Sequence, residues 1–405
     1  MPENKYCKYC LPTKNRNHVA EHLEYFISKL THGLEWLIKK LISEYKFQKI
    51  SHLFSIVLIK TLSSIGLATH EYEPEGSKLR NRTLIFFKQG QQLGLDLSAV
   101  KVLGCYNGEF RLKYEEKTYY YPAVPAKIKD FEAKEGLMDD KLKFKRFLNK
   151  HDFSAPKGDS CFNFQQAKKV VGEIGFPVVT KPAQGSLSVH ISLNIDSEKK
   201  LKQGFKIAKQ YKPEVMVEEF IPGDLYRATT IEQQEVFVCQ KEPANVVGDG
   251  SSTIAELIKQ KNSDPLRGEA KQKNTTLHQI PINDLLKKNL KQKNLNLESI
   301  PKSEEKIYLH NKVILSQGCD IINKTKQAHP EVKSMFLNLS QKLQTNLVGF
   351  DFICSDISKA PNQQEFAIIE ANSLPYIDMH AFPSHGEAEP IAEITWQKVL
   401  NRLKT

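Results

Sequence analysis

Hydrophobic positions at three- and four-residue steps run through the first stretch of the chain. Leu23, Phe26, Ile27, Leu30, Leu34, Leu37, Ile38 and Leu41 predict an amphipathic helix or helix pair over 19–49, with His32-Gly33 a break point. The apolar run 55–62 fits a strand or a helix. Thr83 to Phe87 reads as a short strand and Gln89 to Leu95 as a helix ending near Gly94. Between Tyr106 and Tyr121 the pattern predicts a hairpin with Glu115-Glu116 at its turn. Pro122 and Pro125 close this region, and a domain boundary falls just after them.

The second part alternates more regularly. Asp139 or Asp140 caps a helix running through Leu142, Phe144, Phe147 and Leu148. A helix over Phe164 to Ile174, strands over Val178 to Lys181 and Ile191 to Ile195, a helix over Glu198 to Lys209 and a strand over Glu214 to Phe220 follow. Val348 to Ile353 and Phe366 to Asn372 read as strands joined by a loop over 355–365, hence antiparallel neighbours. Thr253-x-x-Glu256 has the spacing of a capping box. Helices and strands mixed at short spacing indicate an α/β or α+β chain.

Length and composition narrow the class. At 405 residues two or three domains fit, and 40% hydrophobic with 26% charged residues excludes general disorder. Seven scattered cysteines form no disulfide framework and fit a reducing compartment. The longest apolar stretch, Leu53 to Leu62, is interrupted by Ser55, Lys60 and Thr61, and no apolar signal segment follows the N-terminus, so a cytoplasmic chain without membrane contact is expected. The net charge of +11 is spread over lysines. The run Lys287, Lys288, Lys291, Lys293 has no interleaved aromatics and reads as a solvated helix face, so no nucleic-acid partner is expected. Cys7-x-x-Cys10 has only His18 and His22 nearby in sequence and reads as an incidental pair near a terminus.

The P-loop, G-x-G-x-x-G, H-E-x-x-H and G-x-S-x-G patterns are all missing. Lys181 ends a strand and precedes a small-residue loop whose Gly185, Ser186 and Ser188 offer backbone N–H groups and hydroxyls to phosphate oxygens. A surface hairpin would look the same. Glu218, Glu219, Phe220 and Ile221, with Asp224 after Pro222-Gly223, end a strand whose backbone and acids suit an adenine or ribose edge; a plain strand-to-turn transition also fits. Asp351, Glu370 and Asn372 are the sharpest group. Antiparallel pairing makes the two acids neighbours, and positions 370 and 372 share a strand face, so three hard oxygen ligands for Mg²⁺ come together.

In this order the residues resemble the ATP-grasp ligases, closest to the cyanophycin synthetase and bifunctional glutathione synthetase branch. The Pro243 to Leu257 stretch (Pro-Ala-Asn-Val-Val-Gly-Asp-Gly-Ser-Ser-Thr-Ile-Ala-Glu-Leu) and Asp264-Pro-Leu-Arg-Gly-Glu269 carry the likeness to that branch, which covers roughly 136–390. The resemblance implies an α+β ATP-grasp fold: a domain over 136–405 with a mobile flap about 154–221, and a smaller α/β domain over 1–130. It implies that Lys141 and Lys181 hold ATP phosphates, that 218–221 is the adenine hinge, and that Arg227, Lys241 and Arg267 are catalytic cations. Asp351, Glu370 and Asn372 become the ligands of Mg²⁺, or of Mn²⁺ in its place. The implied reaction joins a carboxylate to an amine of an amino acid or small peptide through an acyl phosphate, releasing ADP and phosphate. The alternative is a nucleotide-binding protein of the same fold without ligase activity, a regulator or phosphotransferase. Small-molecule or peptide substrates are the implied partners, and a homo-oligomer is compatible.

The chain departs from that branch at three places. Ser188 and His190 stand in a loop that usually carries more glycines. Ile314-Leu-Ser-Gln-Gly-Cys319 replaces Asn-Leu-Ser-x-Gly-Gly. Glu387 and Glu389 stand where a basic residue is expected. The last two changes predict poor acceptance of acidic amines and better acceptance of neutral or basic ones.

Overall fold

A computed structural model describes residues 7, 9–10, 18–28, 57–125, 135–138, 140–185, 189–269 and 272–404. Three antiparallel sheets organise it. The central sheet has five strands in the order Asp320–Asn323, Glu235–Glu242, Asp224–Ile231, Leu347–Cys354, Phe366–Asn372. Period-2 alternation divides its side chains between two faces. Val238, Tyr226, Ala228, Val348, Phe350, Phe352 and Ile368 point to one face, into a core closed by the helices Lys141–Lys150 and Pro330–Leu343. Phe336 stacks there on Phe350, with ring centroids 5.3 Å apart, and meets Phe352 at 4.8 Å. The intervening positions, Lys241, Arg227, Gly349 and Asp351, fall on the opposite face.

A second sheet, ordered Gly158–Cys161, Val215–Glu219, Val178–Pro182, Ser192–Ile195, is backed by the helices Phe164–Ile174 and Glu198–Tyr211. This α+β unit runs from Gly158 to Glu219, within the residues expected to form the flap. Helix Phe164–Ile174 starts at the Asn163/Gln166 capping box, and Asp140 accepts the backbone N–H groups of Leu142 and Lys143 to start the helix before it.

The third sheet orders Ala68–Glu71, Asp96–Val102, Cys105–Tyr114 and Lys117–Pro122. The expected hairpin is there, with Glu115 at φ 54° in its turn. The expected strand at Thr83 to Phe87 is instead part of one helix, Asn81–Gln92. Its apolar run has no helical stripe because the helix is covered on several sides: Phe86 and Phe87 pack with Leu97 and Phe110 of the sheet and with Trp396 of the last helix, Ile391–Lys404. Trp396 Nε1 donates to the Phe86 carbonyl at 2.9 Å.

The helix expected over 19–49 lies outside the described residues beyond 28, while 18–28 is helical; the ambiguous 55–62 run is helical from 57. Lys287 and Lys288 do lie on the exposed face of helix Asp284–Gln292. Thr253 and Glu256 form the capping box their spacing suggests. Among the described residues no helix is long and apolar enough to cross a membrane.

Candidate active site

Arg227 and Asp351 are Cα partners across neighbouring central strands, and Asp351 is likewise the partner of Glu370 on the next strand. Between Asp351/Glu370 and Phe352/Ile368 the register slips by one residue, a β-bulge at Ile369 beside the two acids. Arg227 Nε donates to Asp351 Oδ1 at 2.5 Å, and Lys241 Nζ donates to Oδ2 at 2.7 Å. All three side chains are buried. Burial alone would raise the Asp351 pKa, but Arg227 and Lys241 outweigh it and hold the carboxyl far below its ordinary value. Gly349 makes room for this group: a Cβ there would stand 2.5 Å from Arg227 Nη1. Nη1 itself is buried and without a hydrogen-bond partner among the described residues. A buried guanidinium N–H on the same face as Lys241 calls for an anionic oxygen, which is what a phosphoryl or carboxylate group would supply.

The expected three-oxygen set is therefore divided. Asp351 has both oxygens committed to cations. Glu370 and Asn372 are half-buried, with Asn372 Nδ2 3.4 Å from Glu370 Oε1. Their oxygens are hard donors of the kind Mg²⁺ takes.

Lys141 joins this group to the loop after the strand Val178–Pro182. Its Nζ donates to the Gly185 carbonyl at 2.6 Å and lies 3.6 Å from Glu370 Oε2. Ser186 and Ser188 lie outside the described residues. Lys181 is buried, and its Nζ is 2.5 Å from Glu218 Oε2, while Lys145 donates to Glu218 Oε1 at 3.1 Å. The Glu218 side chain is the shared counter-ion of two buried lysines. Burial raises its pKa, and the two lysines more than reverse the shift, so the carboxylate is held below its usual range. Lys145 escaped the sequence reading. Its one signal was the four-residue spacing from Lys141, which puts both on one helix face.

Glu219 accepts from the Lys157 backbone N–H at 2.7 Å, and the Phe220 N–H donates to the Pro177 carbonyl at 2.9 Å. Ile221 is half-buried and Asp224 exposed at the start of its strand. The stretch leaves its strand after Glu219 and turns into the next strand at Asp224.

Arg267 has its own set of partners. It is buried, pairs through Nη2 with Asp320, and donates from Nη1 to the carbonyls of His278 at 3.0 Å and Gly318 at 3.2 Å. It braces the 318–320 turn beside the Lys241 strand. Lys261 shares Asp320, at 2.5 Å. His380 is buried against Thr229, Nε2 to Oγ1 2.8 Å, and burial, with Arg227 nearby, lowers its pKa to about 3, so it is a neutral core histidine.

Each acid of the pair after Gly386 has a partner on the neighbouring strand and turn. Glu387 is exposed and paired with Lys326 at 2.6 Å, and Glu389 accepts from Asn323 Nδ2 at 2.8 Å. Ile314 is buried against Val189 and Tyr211.

Residues 143–250 match the family described as D-ala D-ala ligase C-terminus. Over 281 residues, 69% of this chain and 36% of the relative, the chain is 33% identical to the glutathione biosynthesis bifunctional protein GshAB of Clostridium perfringens. It is 30% identical over 257 residues to the cyanophycin synthetase of Trichormus variabilis, covering 62% of this chain and 28% of that one. The crystal structure of a bifunctional glutathione synthetase from Pasteurella multocida superposes with a TM-score of 0.63 at 25% identity, over 80% of this chain and 45% of that chain. The chain spans about a third of the length of the curated relatives it matches.

Proposed function

We propose, from the premise that this chain belongs to the ATP-grasp ligases, that it is an ADP-forming carboxylate–amine ligase acting on an amino acid or small peptide. The observation that carries the reading is the buried Arg227–Asp351–Lys241 group, with its unpartnered Arg227 Nη1, set beside Glu370 and bridged to the flap by Lys141.

In this reading Lys141, Lys145 and Lys181 bind the phosphates of ATP. The flap sheet shields them from water, which strengthens each contact. Arg227 and Lys241 orient and neutralise the transferring phosphoryl group and the substrate carboxylate. Glu370 and Asn372, with Asp351, would hold a divalent cation, Mg²⁺ in our reading, which supplies charge neutralisation on the phosphate oxygens when bound. The carboxylate oxygen attacks the γ-phosphorus and ADP leaves; the amine then displaces phosphate from the acyl carbon and loses its proton.

The test is calorimetric titration with ATP in the presence of Mg²⁺. Saturable binding is expected. Lys181→Ala removes a buried charge-assisted contact and should weaken binding about tenfold or more. Wild-type protein that fails to bind ATP with Mg²⁺ present ends this reading.

A further inference from the structure

Away from these cations, four potential ligands from distant parts of the sequence converge. Cys7, Cys10, His18 and His190 place one ligand atom each within 4.8 Å of one another. His190 Nε2 lies 3.5 Å from Cys7 Sγ and 3.3 Å from Cys10 Sγ, and Cys10 Sγ lies 3.2 Å from His18 Nε2. The sequence offered only His18 and His22 as partners for the cysteine pair. His22 instead has its Nε2 3.1 Å from the Lys209 carbonyl, while His190 enters from 180 residues away.

We propose that these four residues form a structural zinc site. Hydrogen bonds between the side chains do not account for the arrangement. His190 Nδ1 lies 2.6 Å from the Ile207 carbonyl and donates to it. That fixes the tautomer and leaves Nε2 with one lone pair, yet two sulfurs face it. A carbonyl on the second ring nitrogen is how a metal-bound imidazole is usually held. The distances also fit. With Zn–S of about 2.3 Å and Zn–N of about 2.0–2.1 Å, a tetrahedral S···N edge is about 3.5 Å. Two thiolates and two imidazoles make a closed four-coordinate set of the softness that zinc takes, and that Mg²⁺ does not.

The surroundings hold the ligands in place. The Cys10 N–H donates to the Cys7 carbonyl at 3.0 Å, turning the chain so that both sulfurs face one way. The His190 N–H reaches the Tyr9 carbonyl at 3.4 Å. Helix 18–28 is docked separately: Tyr25 donates to Glu214 at 2.8 Å and Lys212 pairs with Glu21 at 2.8 Å. His190 also stacks on Tyr211, centroids 5.3 Å apart, and a Cβ at Gly185 would come within 2.9 Å of that same ring. Zinc would thus fasten the N-terminal segment to the loop that carries the Lys141 contact. Two departures of this chain from its resemblance, His190 and Ile314, meet at this spot. Binding releases the two thiol protons to solvent, with no change in oxidation state.

The experiment is metal analysis of the full chain, untagged and purified without chelator, followed by cobalt substitution. About one equivalent of zinc per chain is expected, and cobalt should give a thiolate-to-metal charge-transfer band with the intense visible bands of a tetrahedral site. Cys7→Ser/Cys10→Ser should carry less than about a tenth of the zinc and lose the charge-transfer band, while its circular dichroism stays that of a folded protein. His190→Asn gives the same comparison from the other side of the site. Iron in place of zinc, wild-type protein without zinc or the cobalt band, or a double serine variant that keeps its zinc would each overturn the assignment.

Discussion

Arg227→Met is expected to lower turnover about 10²–10³-fold, the range for removing one preorganised donor from a transition-state site. Arg227 sits buried with Nε on Asp351 and Nη1 unpartnered. Its fork is already oriented before any anion arrives, so little is spent in ordering it. Met fills a similar volume without charge or donors. Arg227→Lys separates charge from geometry: it restores a cation but not the fork, and should recover only part of the loss. Steady-state ADP release, with an unfolding curve for each variant, makes the measurement. A folded Arg227→Met enzyme within tenfold of wild type would remove Arg227 from the reacting groups.

Asp351→Asn should cost about 3–5 kcal/mol of folding stability, the penalty for leaving buried charges uncompensated. The carboxylate answers Arg227 and Lys241 at once, and all three are buried on a sheet face. An amide keeps the shape and one acceptor but leaves two cations without an anion. The same linkage has a sign in pH. Because the folded pKa is depressed, the stabilisation is present above the unfolded carboxyl value of about 3.9 and is lost as pH falls below it. Urea unfolding at neutral pH is the check, and a loss below about 1 kcal/mol would mean that the pair is screened by water.

Much of this arrangement could be read before any coordinates. Strand periodicity put Asp351 beside Glu370, and the pairing of those strands follows that register. Helix Phe164–Ile174 and the hairpin closing at Glu115-Glu116 also follow local signals, a cap and a turn. The losses have physical causes. Thr83 to Phe87 reads as a strand because a helix covered by both a sheet and the Trp396 helix carries its apolar residues in an unbroken run rather than a stripe. The strand Asp96–Val102 was invisible for a similar reason: Leu97 and Ala99 face one core cluster and Val100 another, so alternation disappears. The direction of the Glu218 side chain is not legible in the sequence, which does not say which way an acid at a strand end points; in the fold it turns to Lys145 and Lys181. Cys7 and Cys10 looked incidental because their partner His190 is joined to them only by the tertiary fold.

Product analysis with a panel of amino acids and dipeptides tests the central claim most directly. Wild-type protein is incubated with ATP, Mg²⁺ and carboxylate–amine pairs, and nucleotides and phosphate are quantified. The account predicts amine-stimulated release of ADP and phosphate in equal amounts with formation of an amide, and loss of all three in Arg227→Met. Formation of AMP and pyrophosphate, or ATP binding with no amide formed from any pair, would contradict it.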